Sequence, residues 1–171
     1  MKGGNGMGRE YSVQEALKLA IKGEKDSMDF YRKAASVTKN ERAQKVFDLL
    51  ANEEVGHLKA FFDHYKGGEF GDVATYMAQP PDMKNPTYTA LLKAVGEDTP
   101  EQAALELAIK EESACINQYT VLAKDIIDPL VRSIFQGVIK ETEKHLAMIE
   151  EEYRHVMAMV HESDQDIYVR E

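Results

Sequence analysis

Ala16-Leu-Lys-Leu-Ala-Ile-Lys-Gly-Glu24 and Ala104-Leu-Glu-Leu-Ala-Ile-Lys-Glu-Glu112 agree at seven of nine positions, 88 residues apart. The same offset, with no gap, pairs Tyr31 with Tyr119, Asn40 with Asp128, Phe47 with Phe135, Glu53 with Glu141, His57 with His145 and Leu58 with Leu146. One register held across two helical segments is not a chance match. The chain carries one helix hairpin twice.

The spacing inside each unit is helical. Val13, Ala16, Leu17, Ala20, Ile21, Met28 and Tyr31 recur as the apolar stripe of an amphipathic helix. Ser12-Val-Gln-Glu15 reads as the capping box that opens it, and it runs to about Val37. Asn40 caps a second helix carrying Ala43, Val46, Phe47, Leu50, Leu58 and Phe61, which Gly67-Gly68 ends. Thr99-Pro100 and Asp128-Pro129 each place an N-cap before a proline at the first helical position. They open a third helix to about Ile126 and a fourth to about His161. Residues 67–99 hold Gly71, Pro80-Pro81 and Pro86, and read as a long connection with one short helix near Tyr88–Val95. Residues 1–10 read as a flexible lead and 162–171 as a polar tail. Short loops make antiparallel neighbours within each unit, and the long link joins the units. The expected fold is all-α, a ferritin-like four-helix bundle over 11–161, with hairpin one at 12–66, the crossover at 67–99 and hairpin two at 100–161.

Composition narrows the partners. The sequence has 171 residues and 43% hydrophobic content, enough for one real core. A net charge of −9 argues against nucleic acid and anionic membranes, and suits a protein that attracts cations. No apolar run approaches the roughly 18 residues of a membrane span, and the opening Met-Lys-Gly-Gly-Asn-Gly-Met-Gly is too polar for a signal peptide. Cys115 is the only cysteine, so no disulfide forms within the chain and no Cys-x-x-Cys clip exists. The expected compartment is reducing, hence cytoplasmic.

Each apolar stripe is interrupted at mid-length. Helix one carries Glu24 where a core residue belongs. Helix two carries Glu53-Glu54 and then His57. Helix three carries Glu112, Cys115 and Tyr119, and helix four Glu141-Thr142 and then His145. Glu24 and Glu54 are equidistant from residue 39 at the first turn, and Glu112 and Glu141 flank the second turn. At roughly 1.5 Å of rise per residue, antiparallel helices bring these side chains to one height. Buried unpaired carboxylates cost several kcal/mol per ion, and several in one layer repel one another. Two divalent cations relieve both. Glu54-Val-Gly-His57 places a carboxylate and an imidazole three apart, on one face. A glutamate from each of two helices plus Glu-x-x-His from the other two is a carboxylate-bridged dimetal pattern.

On Ala-Ile-Lys-Gly-Glu24, Asn-Glu-Glu54-Val-Gly-His57, Ala-Ile-Lys-Glu-Glu112 and Glu141-Thr-Glu-Lys-His145, the sequence resembles the ferritin-like diiron proteins, specifically the rubrerythrin-type domain, over 12–66 and 99–160. The likeness implies Glu24 and Glu112 as terminal or bridging ligands, Glu54 as a bridge, and His57 and His145 as terminal nitrogens. It implies redox activity toward peroxide or dioxygen, or oxidation of ferrous iron, and a homodimer. Oxygen and nitrogen donors suit iron first, with manganese or zinc as other occupants of the two metal positions. Two departures stand out. Thr142 occupies the place three before His145 where a second bridging glutamate belongs, and Glu141 is the candidate to substitute for it. Cys115 stands where rubrerythrins carry a further glutamate. With one cysteine the sequence holds no rubredoxin-like iron site, so electrons come from an external donor protein or from Fe²⁺. The rival readings are a non-catalytic iron-handling protein and a helical interaction module with a decayed site.

Other residues have plainer readings. Tyr31 and Tyr119 lie seven beyond Glu24 and Glu112 on the same face, and either pack in the core or hydrogen-bond a ligand carboxylate. Cys115 is a small core residue or a neighbour of the metals. Glu53 and Glu143 face solvent or the next helix. His64, His155 and His161 belong to the surface, and Met148, Met157 and Met159 fill gaps along helix four.

Overall fold

The structure is a computed structural model that describes the backbone of residues 6–168, with side chains for 12–164. Among the described residues six helices follow one another: α1 Gly6–Val37, α2 Glu41–Phe62, α3 Val73–Met77, α4 Pro86–Ala94, α5 Pro100–Asp125 and α6 Pro129–Tyr168. Among the described residues there is no strand, and no helix is long and apolar enough to cross a membrane. Residues 1–5 of the expected lead and 169–171 of the expected tail lie outside the described residues.

Four long helices make the bundle. α1 packs mainly on α2 and α5 mainly on α6, while α1–α5 and α2–α6 form thinner seams that join the two hairpins. α4 rests against both α1 and α5 and closes one side of the crossover. The result is the all-α, ferritin-like bundle expected of a repeated hairpin.

The elements differ from the sequence reading in five places, the first being α6, which runs on to Tyr168 rather than ending near His161. α1 is already helical at Gly6, so Ser12 and Glu15 lie inside the helix and form no capping box. α2 stops at Phe62 rather than at the glycine pair. Past it, His64 and Tyr65 bond back to Phe61 and Phe62 three residues earlier. Phe62, Tyr65, Phe70 and Tyr76 then form an aromatic knot, with Phe70 and Tyr76 centroids 4.6 Å apart. That packing draws the chain off the helix axis before Gly67 is reached. Thr99 precedes α5 but its side chain caps nothing, whereas Asn40 accepts from Ala43 N and Asp128 from Leu130 N and Val131 N, as caps should. α3, one short turn capped by Asp72, lies in the stretch expected to be plain connection; the helix near Tyr88 is α4, capped by Asn85.

Two apolar clusters fill the bundle. One gathers Phe30, Phe47, Leu50, Leu91, Leu105 and Ile149; the other Leu17, Ile21, Phe61, Phe135 and Val138. Tyr31 belongs to the first cluster and Tyr119 to the second. The residues that interrupt all four apolar stripes are buried between them: Glu24, Glu54, His57, Glu112, Thr142 and His145.

Candidate metal centre

Glu24 comes from α1, Glu54 and His57 from α2, Glu112 from α5 and His145 from α6. All five are between 1% and 4% exposed. They fall into two overlapping groups, Glu24–Glu54–His57 and Glu54–Glu112–His145, with the ligand atoms of each group within 4.8 Å of one another. Glu54 belongs to both. Its Oε2 lies 3.4 Å from His57 Nδ1 and its Oε1 3.4 Å from His145 Nδ1. Glu24 Oε2 is 3.5 Å from His57 Nδ1, and Glu112 Oε1 is 3.8 Å from His145 Nδ1. An ion about 2.1 Å from each of two donors at a roughly tetrahedral angle would separate them by about 3.4 Å. The spacing is that of donors around a cation rather than of hydrogen-bond partners.

Three of the five unsatisfied buried side-chain atoms among the described residues lie here; the other two are Thr38 Oγ1 and Glu152 Oε1. His57 Nδ1, His145 Nδ1 and Glu24 Oε2 are buried with no hydrogen-bond partner among the described residues. Such orphans are rare in folded proteins and call for a ligand. All three belong to the two groups just described.

Charge in this layer is balanced by protons when no dication is bound. Burial opposes charge on His57, but Glu24 and Glu54 outweigh it and push its pKa up to about 11. His145 is likewise opposed by burial, and Glu112 and Glu54 push it up to about 10. Burial, reinforced by the charge on Glu54, raises Glu24. Burial also raises Glu112, with Glu54 adding to it and His145 and Tyr31 opposing. Burial works against ionised Glu54 too, yet the polar groups of Glu24, His145 and His57 crowded around it hold it below the usual carboxylate range. Raised His57 and His145, with raised Glu24 and Glu112, favour protons where two cations would otherwise supply the positive charge.

The tyrosines cross between hairpins. Tyr31, on the helix of Glu24, donates to Glu112 Oε1 at 2.5 Å. Tyr119, on the helix of Glu112, donates to Glu24 Oε1 at 2.6 Å. Burial and the nearby carboxylates raise both phenol pKa values well above normal, so both hydroxyls stay protonated donors. Burial pushes the Cys115 thiol up as well, with Glu24, Glu112 and Glu54 adding to the effect, which keeps it a thiol beside the cluster.

Glu141 lies elsewhere than at the missing bridge. Its side chain is 57% exposed, and His57 Nε2, the ring nitrogen opposite the cluster, donates to its Oε2 at 2.5 Å. It therefore meets the histidine of the other hairpin. Thr142 turns inward, 2% exposed, but donates its hydroxyl to Val138 O at 2.8 Å. Residue 141 sits about 100° round the helix from it, which carries the carboxylate to the α2–α6 seam. The seam also holds Glu53, which meets the next helix, one of the two places the sequence allows it. Glu53, 42% exposed, accepts from His145 Nε2. The 88-residue offset that pairs Glu53 with Glu141 was the available signal.

A helical bundle with two carboxylate–histidine groups sharing one glutamate, set between two apolar clusters, defines a ferritin-like protein whose centre can hold a pair of metal ions. Compared with known families, residues 15–153 match rubrerythrin. The chain belongs to the rubrerythrin family. Comparison with curated proteins and with solved structures gave no match.

Proposed function

We propose that the protein is a diiron redox protein that delivers two electrons to a small oxidant, peroxide or dioxygen. The observation that carries this reading is Glu54, whose two oxygens are divided between the Nδ1 atoms of two buried imidazoles. Glu24, Glu54 and His57 would hold one ion, and Glu54, Glu112 and His145 the other. Oxygen and nitrogen donors without thiolate suit iron, with manganese and zinc as competitors. A bound iron pair supplies the electrons, each ion passing between the divalent and trivalent states.

The chain's own residues do the rest. Tyr119 and Tyr31 fix Glu24 and Glu112 against rotation. The apolar clusters on either side exclude water from the layer. A cleft of about 720 Å³ between α2 and α6, lined by Glu53, His57, Glu141 and His145, gives a small oxidant an approach. Electrons enter from a separate donor protein or from Fe²⁺ used as substrate.

Thr142 favours a second reading, in which the centre binds iron without turnover, because only one carboxylate bridges. One experiment separates the two. Protein loaded anaerobically with Fe²⁺ should bind two ions per chain, and one equivalent of peroxide should oxidise both, with repeated turnover once reductant is added. Two bound ions that ignore peroxide would leave the second reading. No bound iron would remove both.

A further inference from the structure

Glu53 and Glu141 lie in the α2–α6 seam and belong to neither donor group. They are equivalent in the internal repeat, 88 positions apart, as are His57 and His145. Each pairs with the histidine of the opposite hairpin, Glu141 with His57 Nε2 and Glu53 with His145 Nε2. The two imidazoles lie nearly parallel, with centroids 5.4 Å apart and planes at 19°. Each ring thus has one nitrogen held by a half-exposed carboxylate and the other, buried and without a partner, turned to the cluster.

We propose that Glu53 and Glu141 are positioning residues for the metal pair, each fixing the imidazole of the other hairpin so that Nδ1 faces its ion. The inference rests on the dimetal reading. A carboxylate that accepts the outer ring N–H fixes the tautomer, orients the ring and raises the basicity of the ligating nitrogen; losing such a partner typically weakens metal affinity 10–100-fold. Charge points the same way. Three ligand carboxylates against two dications leave one positive charge, and this pair of outer carboxylates more than neutralises it. The crossing also has a consequence that nearness in sequence would not give. Glu53 neighbours Glu54 and stands four before His57, yet it supports the ion held by Glu54, Glu112 and His145. Glu141 stands four before His145, yet it supports the ion held by Glu24, Glu54 and His57.

The test isolates one ion at a time with Co²⁺, which binds without redox change. Glu24→Gln leaves the Glu54–Glu112–His145 group, and Glu112→Gln leaves Glu24–Glu54–His57. In the Glu24→Gln background, Glu53→Gln should raise the Co²⁺ dissociation constant about 10–100-fold, while Glu141→Gln changes it less than about twofold. In the Glu112→Gln background the two should exchange effects. Glu143→Gln, an exposed charge loss on α6, serves as the control and should do nothing in either. Equal effects of Glu53→Gln and Glu141→Gln in both backgrounds would reveal a general charge effect. Effects confined to the residue's own hairpin, or none, would equally overturn the proposal. The full-length protein with two Co²⁺ ions gives a second readout, free of the background substitutions. Its two ring N–H protons should appear as separate paramagnetically shifted resonances, and Glu53→Gln and Glu141→Gln should each speed solvent exchange of a different one. A clamp that merely held the hairpins together would lower the melting temperature of all forms and leave these resonances and affinities unchanged, and that result overturns the inference. A wild type that takes up no Co²⁺ overturns the dimetal reading and this inference together; one that takes up two ions but is insensitive to both Gln substitutions overturns this inference alone.

Discussion

Tyr119 reaches across the bundle to Glu24, 95 positions away in sequence, and gives it a hydrogen bond at 2.6 Å from a fully enclosed hydroxyl. Tyr31 does the same for Glu112 from the opposite side. Each of these carboxylates is therefore anchored by the other hairpin, as each imidazole is. The centre is where the two copies of the repeat are tied together, and its energetics follow from that.

Removing one anchor should be felt in both stability and metal affinity. Tyr119→Phe leaves Glu24 Oε1 with a single partner fewer in a dry site, which costs about 1–3 kcal/mol. Urea unfolding of metal-free protein should show that loss for Tyr119→Phe and a similar one for Tyr31→Phe. Calorimetric Co²⁺ titration should show weaker binding at the Glu24 group for Tyr119→Phe and at the Glu112 group for Tyr31→Phe. Both variants matching wild type in urea would mean the phenols merely pack.

Metal should stabilise the fold by mass action. A ligand that binds only the native state adds RT ln(1 + [L]/Kd), about 2.7 kcal/mol at a hundredfold excess over Kd. Chelation, with loss of metal verified by elemental analysis, should lower the melting temperature, and Fe²⁺ added under nitrogen should restore it. An unchanged melting curve would speak against ions in the core.

The hairpin and its polar layer were legible in the sequence because helical periodicity reports which face a residue occupies. Glu24, Glu54, His57, Glu112 and His145 all fall on core stripes, so the turns alone set their height. Periodicity does not report which neighbouring helix a boundary residue meets. Glu53, one position from Glu54, reads as facing either solvent or the next helix, and only α6 laid beside α2 brings His145 against it. Glu141 reads as a substitute for Thr142 for the same reason. Helix ends were the other weak point: tertiary packing of Phe62, Phe70 and Tyr76 ended α2 ahead of its glycines, and Thr99 sits at an N-cap position without using its hydroxyl.

Protons and cations should compete at the centre. In metal-free protein His57 and His145, with pKa values of about 11 and 10, hold protons at neutral pH. Both lie above the unfolded value of about 6.5. Their contribution to stability is therefore complete below about pH 6.5 and is lost as pH rises through about 10–11. Metal must displace those protons, so Co²⁺ affinity should climb between pH 7 and 9 while metal-free stability declines toward pH 10. Calorimetry in two buffers of different ionisation enthalpy should detect proton release on binding; identical heats in both would contradict the protonated imidazoles.

Asp26 offers a control that belongs to neither donor group. Burial, with the charge on Asp82 adding to it, raises its pKa to about 6 although Asn85 donates a hydrogen bond to it. A raised carboxylate penalises the ionised fold: the penalty is absent below the unfolded value of about 3.9, grows through pH 4–6 and is complete above. Asp26→Asn should raise the urea midpoint at pH 7 and leave it unchanged at pH 3.5. A lower midpoint at pH 7 would show that the charge is needed.

Thr142 is the repeat partner of Glu54, buried at 2% exposure and spending its hydroxyl on Val138 O. The site is therefore lopsided in origin. One ion would take all its donors from the first hairpin, with Glu54 and His57 a single turn apart on α2. The other would gather its donors from α2, α5 and α6. Two donors on one rigid turn lose less freedom on binding than donors from three helices, so the first ion should bind more tightly. Thr142→Glu supplies the absent bridge and tests this. Without metal it adds a buried carboxylate beside Glu54, at a cost of several kcal/mol, and the melting temperature should fall. With two Co²⁺ ions bound the new carboxylate has its counter-charge, so the gain on loading should exceed that of wild type and the second binding step should tighten toward the first. Stepwise titration and paired melting curves decide it. Two equal steps in wild type, or a Thr142→Glu protein whose metal-dependent gain is no larger, would show that Glu54 alone bridges both ions as well as a pair would.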